Sequence, residues 1–473
     1  MLMKKLANLF ILVTLSLLIS CNTSSTRKDS HAKEKILSAA SRIEKNGWIY
    51  IHLQGTPVEI GYQHGYLLAN EIIDLRGTLS VMNEKQTGKN WNFYRDESLR
   101  MFWDNVPDEY RKEMDGIVSG VNARIGKNAI ARKDIVAMNS ILETSWYYVP
   151  WLNKNNNPSP PGHCSAFAAT GSWTKDGKIV MAHNSWVDFI MGERWNIIFD
   201  VVPEKGNRFI MDGLPGFIHS GDDFSINSAG LIVTETTIAK FSGFDPEGVA
   251  EFVRARKAVQ YASSIIEWMD IMKEKNNGGY ANDWLVGDNK TGEIGRLELG
   301  LKHQISEIKM DGYLVGANFP VYKDVIRDET SFDTTDMSSS PNARKARWEE
   351  LMKDNKGQID VESAMRFMGD HYDTWRKQDK ASALSLCGHN DEDERGCPSF
   401  DWKPFYPDGA IQAKVTDGNL ASEMKLWAIM GRPCGEPFSA SEFLKAHPEF
   451  SWQKEYLRDM TGEKWTLFQK DMH

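Results

Sequence analysis

The chain has 473 residues, of which 41% are hydrophobic and 26% are charged, and its formal net charge at pH 7 is −9. This length allows one large domain or two ordinary ones, with a core large enough to fold without disulfide bonds. The acidic balance and the lack of a basic cluster in the sequence argue against nucleic acid as a partner.

The N-terminus has the pattern of an export signal. Lys4 and Lys5 precede an apolar run over residues 6–20, and Cys21 follows directly. Because this run is shorter than the ~20 residues that a membrane-spanning helix needs, we predict a signal peptide over residues 1–20. The small Ser20 before Cys21 is typical of a lipoprotein signal, in which the cysteine carries the lipid.

Residues 21–32 would then form a polar tether, and the protein would be an exported lipoprotein of the cell envelope, held to the membrane through Cys21. Asn22, rather than an aspartate, follows this cysteine and favours the outer membrane if the host has one. The alternative is a plain secretory signal with an incidental cysteine.

Residues 33–150 mix helical patterns with short strand-like segments such as residues 48–53. Residues 61–70 are typical of the start of an amphipathic helix, in which Gly61 and Gly65 lie on one side. Two small residues at this spacing predict that another element approaches the helix closely.

The character of the chain changes after residues 153–162, which are rich in Asn and Pro and predict an exposed loop. Two strand-length runs follow, over residues 164–174 and 178–186, joined by the turn signal Asp176-Gly177. Cys164 is therefore predicted to open the first strand of a hairpin.

The rest of the chain predicts strands followed by helices. Strands are expected at 196–202, 223–237, 284–288, 294–299 and 313–317, and helices at 248–274, 341–353 and 361–369. This order is typical of an α+β fold in which helices cover antiparallel sheets.

Cys164 has a specific chemical use if the bond between His163 and Cys164 is cleaved. Cleavage frees an α-amino group with a reference pKa of ~7.7–8.0, on the same residue as the thiol that it must deprotonate. One residue then supplies both nucleophile and base. On spacing alone, a buried apolar cysteine is the simpler interpretation.

The surroundings of Cys164 reverse that preference, because the sequence resembles the phospholipase B-like family over residues 160–460. The segments that carry the resemblance are, in chain order, 163–166 (His-Cys-Ser-Ala), 182–186 (Ala-His-Asn-Ser-Trp), 222–224, 230–237, 279–284 (Gly-Tyr-Ala-Asn-Asp-Trp) and 409–416. The earlier segment 61–70 resembles the pro-region of the related penicillin acyltransferase group of cysteine peptidases.

The resemblance implies an αββα sandwich of two antiparallel sheets flanked by helices, the fold of N-terminal-nucleophile hydrolases. It also implies self-cleavage into a pro-region or α chain (33–163) and a catalytic β chain (164–473) that stay associated. The activity would be hydrolysis of acyl esters of phospholipids, lysophospholipids or other lipids through a thioester. Amide hydrolysis or acyl transfer on small N-acyl compounds or cell-wall peptides is the alternative.

Roles follow from the resemblance position by position. Cys164 matches the nucleophile, and His183 matches a histidine beside it that faces the substrate. Thr237 and Asn318 match positions that stabilise the oxyanion. The predicted substrate contacts are Asn184, Trp186, Asn282 and Arg347.

Two of these matches leave alternatives open. The superfamily arginine near the nucleophile matches either Arg344 or Arg347. Trp186 stands where the superfamily often has an aspartate that holds the free amino group, so Asp188 or Asn184 would have to do this instead.

Other kinds of site have weaker support in the sequence. Zinc ligands could come from His163, His183, His219, Asp222 and Asp223, but no ligand motif with metal spacing is present, so we expect no metal. Asp222-Asp223 is instead interpreted as a solvated or capping turn before a strand. Serine-hydrolase and nucleotide-binding motifs are also missing from the sequence, and no cofactor is expected.

The sequence leaves alternatives for the activity of the protein and for the state of two cysteines. A non-catalytic, lipid-binding lipoprotein is a further alternative, encouraged by an aromatic content of 11%. Cys387 and Cys397 flank a polar segment and either form a local disulfide or remain free thiols.

Overall fold

The computed structural model describes residues 33–153, 163–222 and 224–472. The predicted signal peptide, the tether with Cys21, the loop at 154–162 and Asp223 lie outside the described residues. Within the described part, no helix is both long and apolar enough to cross a membrane.

Two large sheets form the centre of the molecule. The nine-stranded sheet has the order β1-β2-β5-β6-β7-β8-β9-β10-β11. Its strands are β1 (Ser41–Lys45), β2 (Trp48–Gly55), β5 (Ile197–Pro203), β6 (Phe209–Gly213), β7 (Ser225–Asn227), β8 (Leu231–Thr237), β9 (Asn282–Asp288), β10 (Glu293–Leu299) and β11 (Gln304–Lys309).

The six-stranded sheet has the order β12-β3-β4-β15-β16-β17. Its strands are β3 (His163–Thr170), β4 (Val180–Asp188), β12 (Gly312–Gly316), β15 (Asp408–Asp417), β16 (Lys425–Met430) and β17 (Thr466–Gln469). A separate short ribbon pairs β13 (Tyr372–Asp373) with β14 (Gln378–Asp379).

The helices are α1 (Pro57–Leu67), α2 (Ala69–Thr87), α3 (Trp91–Phe102), α4 (Asp108–Ile125), α5 (Arg132–Asn139), α6 (Ile141–Glu143), α7 (Val149–Leu152), α8 (Phe189–Gly192), α9 (Glu251–Tyr261), α10 (Ile265–Lys273), α11 (Lys323–Glu329), α12 (Ser340–Asp354), α13 (Val361–Met368), α14 (Gly418–Ser422) and α15 (Ala440–Ala446). A π-helical turn, Thr144–Tyr148, connects α6 to α7.

The layers follow from where the apolar side chains lie. Between the sheets, Ala166 and Met181 of one sheet share a core with Ile198 and Ile232 of the other. The outer faces of the two sheets are covered separately, by α9 and α10 on the nine-stranded sheet and by α12 and α13 on the six-stranded sheet. The predicted α+β sandwich of two sheets flanked by helices is therefore confirmed.

One feature departs from the prediction of two antiparallel sheets. Strand β2 pairs with β5 in parallel, from Ile49 opposite Ile197 to Gly55 opposite Pro203. The two strands are joined through a long helical connection, and long connections of this kind allow parallel pairing. The other ladders of the two large sheets are antiparallel.

Element boundaries differ from the prediction where local signals interrupt a regular pattern. The predicted helix 248–274 divides into α9 and α10, because Ser264 caps a new helix by accepting a hydrogen bond from the Glu267 amide. The predicted strand 223–237 divides into β7 and β8 at a turn in which Gly230 has a φ of 94°. The predicted hairpin is present as β3 and β4, but β3 begins at His163 and ends at Thr170, so residues 171–179 join the two strands.

The predicted close approach at Gly61 and Gly65 is confirmed. Helix α1 crosses α4, and a Cβ atom added at Gly61 would lie 1.9 Å from the carbonyl oxygen of Glu113. At Gly65 the corresponding distance to the carbonyl oxygen of Ile117 is 2.1 Å. No side chain fits at either position without moving the backbone.

Candidate active site

Cys164 is the second residue of β3 and is only 3% exposed. Its backbone N–H donates a hydrogen bond to Oδ1 of Asn318 at 3.1 Å, and its carbonyl oxygen accepts one from Nη1 of Arg344 at 2.6 Å. The peptide groups on both sides of the Cα atom are thus held by side chains from other elements.

The thiol of Cys164 lies beside a histidine and a carboxylate. Cys164 is opposite Ser185 in the β3–β4 ladder, so Cys164, His183 and Ser185 lie on one face of the sheet. The Sγ atom of Cys164, a ring nitrogen of His183 and a carboxylate oxygen of Glu235 all lie within 4.8 Å of one another. The structure therefore brings together the predicted nucleophile and the predicted histidine, and adds Glu235.

Asn318 lies at the site, but its contacts differ from those of the predicted oxyanion donor. Its Oδ1 atom accepts hydrogen bonds from the Cys164 N–H and from Nη2 of Arg344, the latter at 2.8 Å. Its Nδ2 atom donates to the carbonyl oxygen of Thr237 at 2.8 Å. In this arrangement Asn318 holds the nitrogen of the nucleophilic residue.

Asn318 adopts a left-handed backbone conformation, with a φ of 66° directly after β12. Asn tolerates this conformation better than most residues. The conformation places the side chain between β3 and the end of β8.

Of the two candidate arginines, Arg344 hydrogen-bonds Cys164, whereas the contacts of Arg347 are with other residues. Arg344 is fully buried on α12 and donates to Cys164, Ser165 and Asn318. Arg347 instead forms a bidentate ion pair with Asp370, at 2.9 and 2.7 Å. Three residues along a helix leave two side chains only about 60° apart, but Arg347 contacts Asp370 and not Cys164, so its predicted role in substrate binding stays a prediction.

Two predicted substrate contacts lie on the other face of β4 from the thiol. Asn184 donates to the carbonyl oxygens of Met368 and Leu386, at 3.1 and 2.9 Å. The indole N–H of Trp186 also donates to Leu386, at 3.2 Å, and its ring lies 4.3 Å from the Arg344 guanidinium. Both side chains pack beneath the site and away from the thiol, whereas the backbone of Trp186 hydrogen-bonds the Cys164 thiol.

Neither of the residues suggested for holding the amino group is in a position to do so. The carboxylate of Asp188 accepts hydrogen bonds from Tyr406, at 2.7 Å, and from Gln86, at 3.2 Å. Asn184 is engaged as described above. The nitrogen of Cys164 is held by Asn318 instead.

Thr237 and Asn282 lie opposite each other at the ends of β8 and β9. The Oγ1 atom of Thr237 and both side-chain polar atoms of Asn282 are buried, and the described residues supply no hydrogen-bond partner for them. Buried polar atoms of this kind need a ligand, a water molecule or a charge to satisfy them.

A buried charged network lies behind His183. The ammonium of Lys414 on β15 donates to Asp222 at 2.6 Å, to Ser185 at 2.7 Å and to Asp212 at 3.0 Å. Ser185 also donates to Asp222. The interpretation of Asp222 as a solvated turn residue was wrong, because its carboxylate is buried and paired with an ammonium.

Burial is the main cause of the pKa shifts of Cys164 and His183. It raises the pKa of the Cys164 thiol well above its usual value, reinforced by the nearby Glu235 carboxylate. Burial and the Lys414 ammonium together lower the pKa of His183 to about 3. His183 is therefore neutral at pH 7, and its Nε2 atom has no hydrogen-bond partner among the described residues.

Glu235 and Lys414 were not predicted as members of the site. A lysine inside an otherwise apolar strand was an available signal at Lys414, because lysine is almost never fully buried without a partner. Glu235 carried a similar signal within β8. Of the two alternatives for Cys387 and Cys397, a local disulfide or free thiols, the structure has free thiols.

Comparison with known proteins finds one matching family model and several proteins of similar sequence. Residues 80–466 match the family model described as Phospholipase B. A phospholipase B-like 1 protein of Caenorhabditis elegans is 27% identical over 65% of this chain and 59% of its own length. Phospholipase B-like 1 of Bos taurus is 24% identical over 78% of this chain and 75% of its own length.

The chain thus spans about three fifths of the nematode relative that it matches. Among solved structures, the R18L variant of conjugated bile acid hydrolase from Clostridium perfringens aligns with 56% of this chain and 89% of its own, at 11% identity and a TM-score of 0.33.

Proposed function

Because this chain belongs to the phospholipase B family, we propose that it is an acyl hydrolase of the N-terminal-nucleophile type, matured by cleavage before Cys164. The main support for the proposal is the set of contacts that positions Cys164. Asn318 and Arg344 fix the two peptide groups of this residue, while its thiol lies beside His183 and Glu235.

Self-cleavage begins with attack of the Cys164 thiol on the carbonyl carbon of His163. The α-nitrogen is still an amide at this stage and cannot accept a proton, so the adjacent His183, a ring nitrogen of which lies within 4.8 Å of the sulfur, takes the thiol proton. The C–N bond then breaks, the nitrogen leaves as an amine with that proton, and His163 is held as a thioester on Sγ. Water hydrolyses the thioester to free the thiol and the carboxylate of His163.

In the mature enzyme the freed α-amine is the base. It deprotonates the Cys164 thiol, which attacks the acyl carbonyl of the substrate and forms a thioester while the leaving group takes the proton. Asn318 fixes the amine through the contact that it already makes with this nitrogen. Thr237 and Asn282 supply the donors for the oxyanion, which accounts for their buried polar atoms without partners.

We place lipid esters first among substrates, since the relatives are named for phospholipase B. Small N-acyl amides are the second candidate, because a thioester serves both reactions equally. Incubation with a lysophospholipid panel and an N-acyl amino acid panel, followed by mass spectrometry, distinguishes the two by the acyl adduct found on Cys164. A complete lack of adducts on both panels would contradict hydrolysis.

The first test of the proposal is N-terminal sequencing of the purified protein. We expect two chains, the second of which begins at Cys164, and we expect Cys164→Ala to remain a single chain. Cys397→Ala is the matched control, because Cys397 is also a buried free cysteine near Arg344, but its Sγ atom contacts Ser399 at 3.4 Å and it does not follow the bond that is cleaved. Cleavage of Cys164→Ala at the same bond would exclude self-cleavage by this thiol.

We also propose that the protein is exported and anchored by lipid at Cys21, supported by the sequence pattern over residues 1–21. Labelling of cells with a radioactive fatty acid should mark the wild-type protein and not Cys21→Ser. The variant should appear in the soluble fraction instead of the membrane fraction. Equal labelling of both proteins would place the lipid elsewhere or show a different mode of attachment.

A further inference from the structure

Two cysteines and two histidines from distant parts of the sequence meet beneath the six-stranded sheet. They are His371 after α13, Cys387 and His389 in the following loop, and Cys434 after β16. One side-chain nitrogen or sulfur atom from each lies within 4.8 Å of every other. We propose that these four residues bind one zinc ion in a structural site.

The distances in the cluster match those of zinc coordination. The Nε2 atom of His389 lies 3.6 Å from Sγ of Cys387 and 3.5 Å from Sγ of Cys434. In a tetrahedral site with Zn–S of ~2.3 Å and Zn–N of ~2.0–2.1 Å, a sulfur and a nitrogen ligand are separated by about 3.6 Å. The side chains are therefore already arranged around a common centre.

The histidines present ligand atoms to that centre. The Nδ1 atom of His389 contacts the Glu392 carboxylate at 3.0 Å, so a neutral His389 with its proton on Nδ1 would offer the lone pair of Nε2 to the metal. Such a carboxylate behind a histidine is the usual support of a zinc ligand. In His371 the Nε2 atom is buried and has no hydrogen-bond partner among the described residues.

The four side chains in the cluster are ligands that favour zinc over calcium and magnesium. Two thiolates and two imidazoles in a closed, largely buried cluster are the ligands of a structural zinc site, whereas calcium and magnesium require oxygen ligands. This proposal departs from the expectation that the protein holds no metal. That expectation rests on scattered histidines and on missing ligand motifs with short spacing, whereas this set extends from His371 to Cys434.

The site would stabilise the floor of the active site. The loop between Cys387 and His389 presses on Trp186, since a Cβ atom added at Gly388 would lie 2.2 Å from the Trp186 ring. Trp186 stacks on Arg344, which binds the carbonyl oxygen of Cys164. Zinc would fix this loop, in a region that otherwise has little regular structure between α13 and β15.

The test is elemental analysis of the purified full-length protein prepared without chelators. We expect about one zinc per chain, and we expect Cys387 and Cys434 to react with a thiol reagent only after the metal is removed. His371→Ala and Cys434→Ser should each lose the zinc, while Cys397→Ser should keep it. Circular dichroism of each variant verifies that the fold is retained.

Three results would overturn the proposal. One is protein that stays free of zinc after incubation with Zn²⁺ alone. Another is a Cys387–Cys434 disulfide, detected as a cross-linked peptide in the metal-free protein. The third is zinc that persists in both His371→Ala and Cys434→Ser, because the ion would then lie elsewhere. None of these readouts depends on activity, so each stands apart from the proposed hydrolysis.

Discussion

Arg344 and Arg347 lie three positions apart on α12 but make different contacts. Arg344 is fully buried and binds Cys164, Ser165 and Asn318, whereas Arg347 is partly exposed and pairs with Asp370. A lysine at 344 keeps the charge but loses the planar fork, and each hydrogen bond lost from a charged group costs about 1.5–3 kcal/mol. We expect Arg344→Lys to slow self-cleavage at least tenfold, measured on denaturing gels.

Arg347→Lys is the matched control for this prediction. It changes the same atoms on the same helix and should cleave at the wild-type rate, because a partly exposed ion pair contributes at most about 1 kcal/mol. Equal slowing in both variants would mean that α12 acts through general stability and not through its contact with Cys164.

The pH dependence of hydrolysis should show whether His183 or the α-amine of Cys164 is the base. His183, with a pKa lowered to about 3, stays neutral across the working range and contributes no inflection near pH 6.5. The α-amine of Cys164 must be deprotonated to act, so activity should be lost as pH falls through its pKa, near ~7.7–8.0 in the reference state. The profile of kcat/KM against pH measures this.

His183→Gln separates the two candidates for the base. Because His183 also serves as the base for self-cleavage in our proposal, the variant should mature more slowly. Its cleaved fraction should hydrolyse substrate at a lower rate but keep the inflection at the same pH. Disappearance of the inflection in His183→Gln would assign the titration to the imidazole and contradict the amine as base.

At the scale of elements, the crossing of α1 over α4 depends on glycines. A Cβ atom at Gly61 would lie 1.9 Å from the Glu113 carbonyl oxygen, so Gly61→Ala must force the helices apart. We expect a loss of about 1–3 kcal/mol in the free energy of unfolding, the usual cost of overpacking. Urea denaturation followed by circular dichroism measures the change.

Gly77 on α2 provides the control for this crossing. A Cβ atom there would have its nearest neighbour, a ring carbon of Tyr456, at 3.7 Å, which is ordinary contact. Gly77→Ala should therefore stabilise the protein by about 0.5–1 kcal/mol through helix propensity. Destabilisation by both variants to the same extent would argue against a specific close approach of α1 to α4.

At the scale of the whole molecule, the two chains produced by cleavage would share one sheet and one core. Strand β2, before the cleavage point, pairs with β5 after it along seven residue pairs. Apolar residues such as Leu75 and Ile117 pack in the same cluster as Phe199 and Phe217. The chains should therefore co-elute from a sizing column even in about 1 M NaCl, since salt weakens only exposed charge interactions.

The uncut Cys164→Ala variant should elute at the same volume as the mature protein. Separation of the two chains by salt alone would show that residues 33–163 are a removable pro-segment and not a permanent part of the fold.

Local patterns in the amino-acid sequence were sufficient to predict several features of this protein. The turn at Asp176-Gly177 and the strands on either side of it placed Cys164 at the start of a hairpin, and the spacing of Gly61 and Gly65 predicted a helix crossing. The ordered motifs identified the family. Each of these signals depends on neighbouring residues and on the period of a helix or strand, which a linear reading contains.

The contacts between side chains that are distant in sequence became known from the three-dimensional fold. It selected Arg344 over Arg347, added Glu235 and Lys414 to the site, and gathered the cluster from His371 to Cys434. These contacts depend on strand order, on the register between sheets and on the rotation of α12. Those quantities are set by the packing of the whole core, and no local pattern in the sequence specifies them.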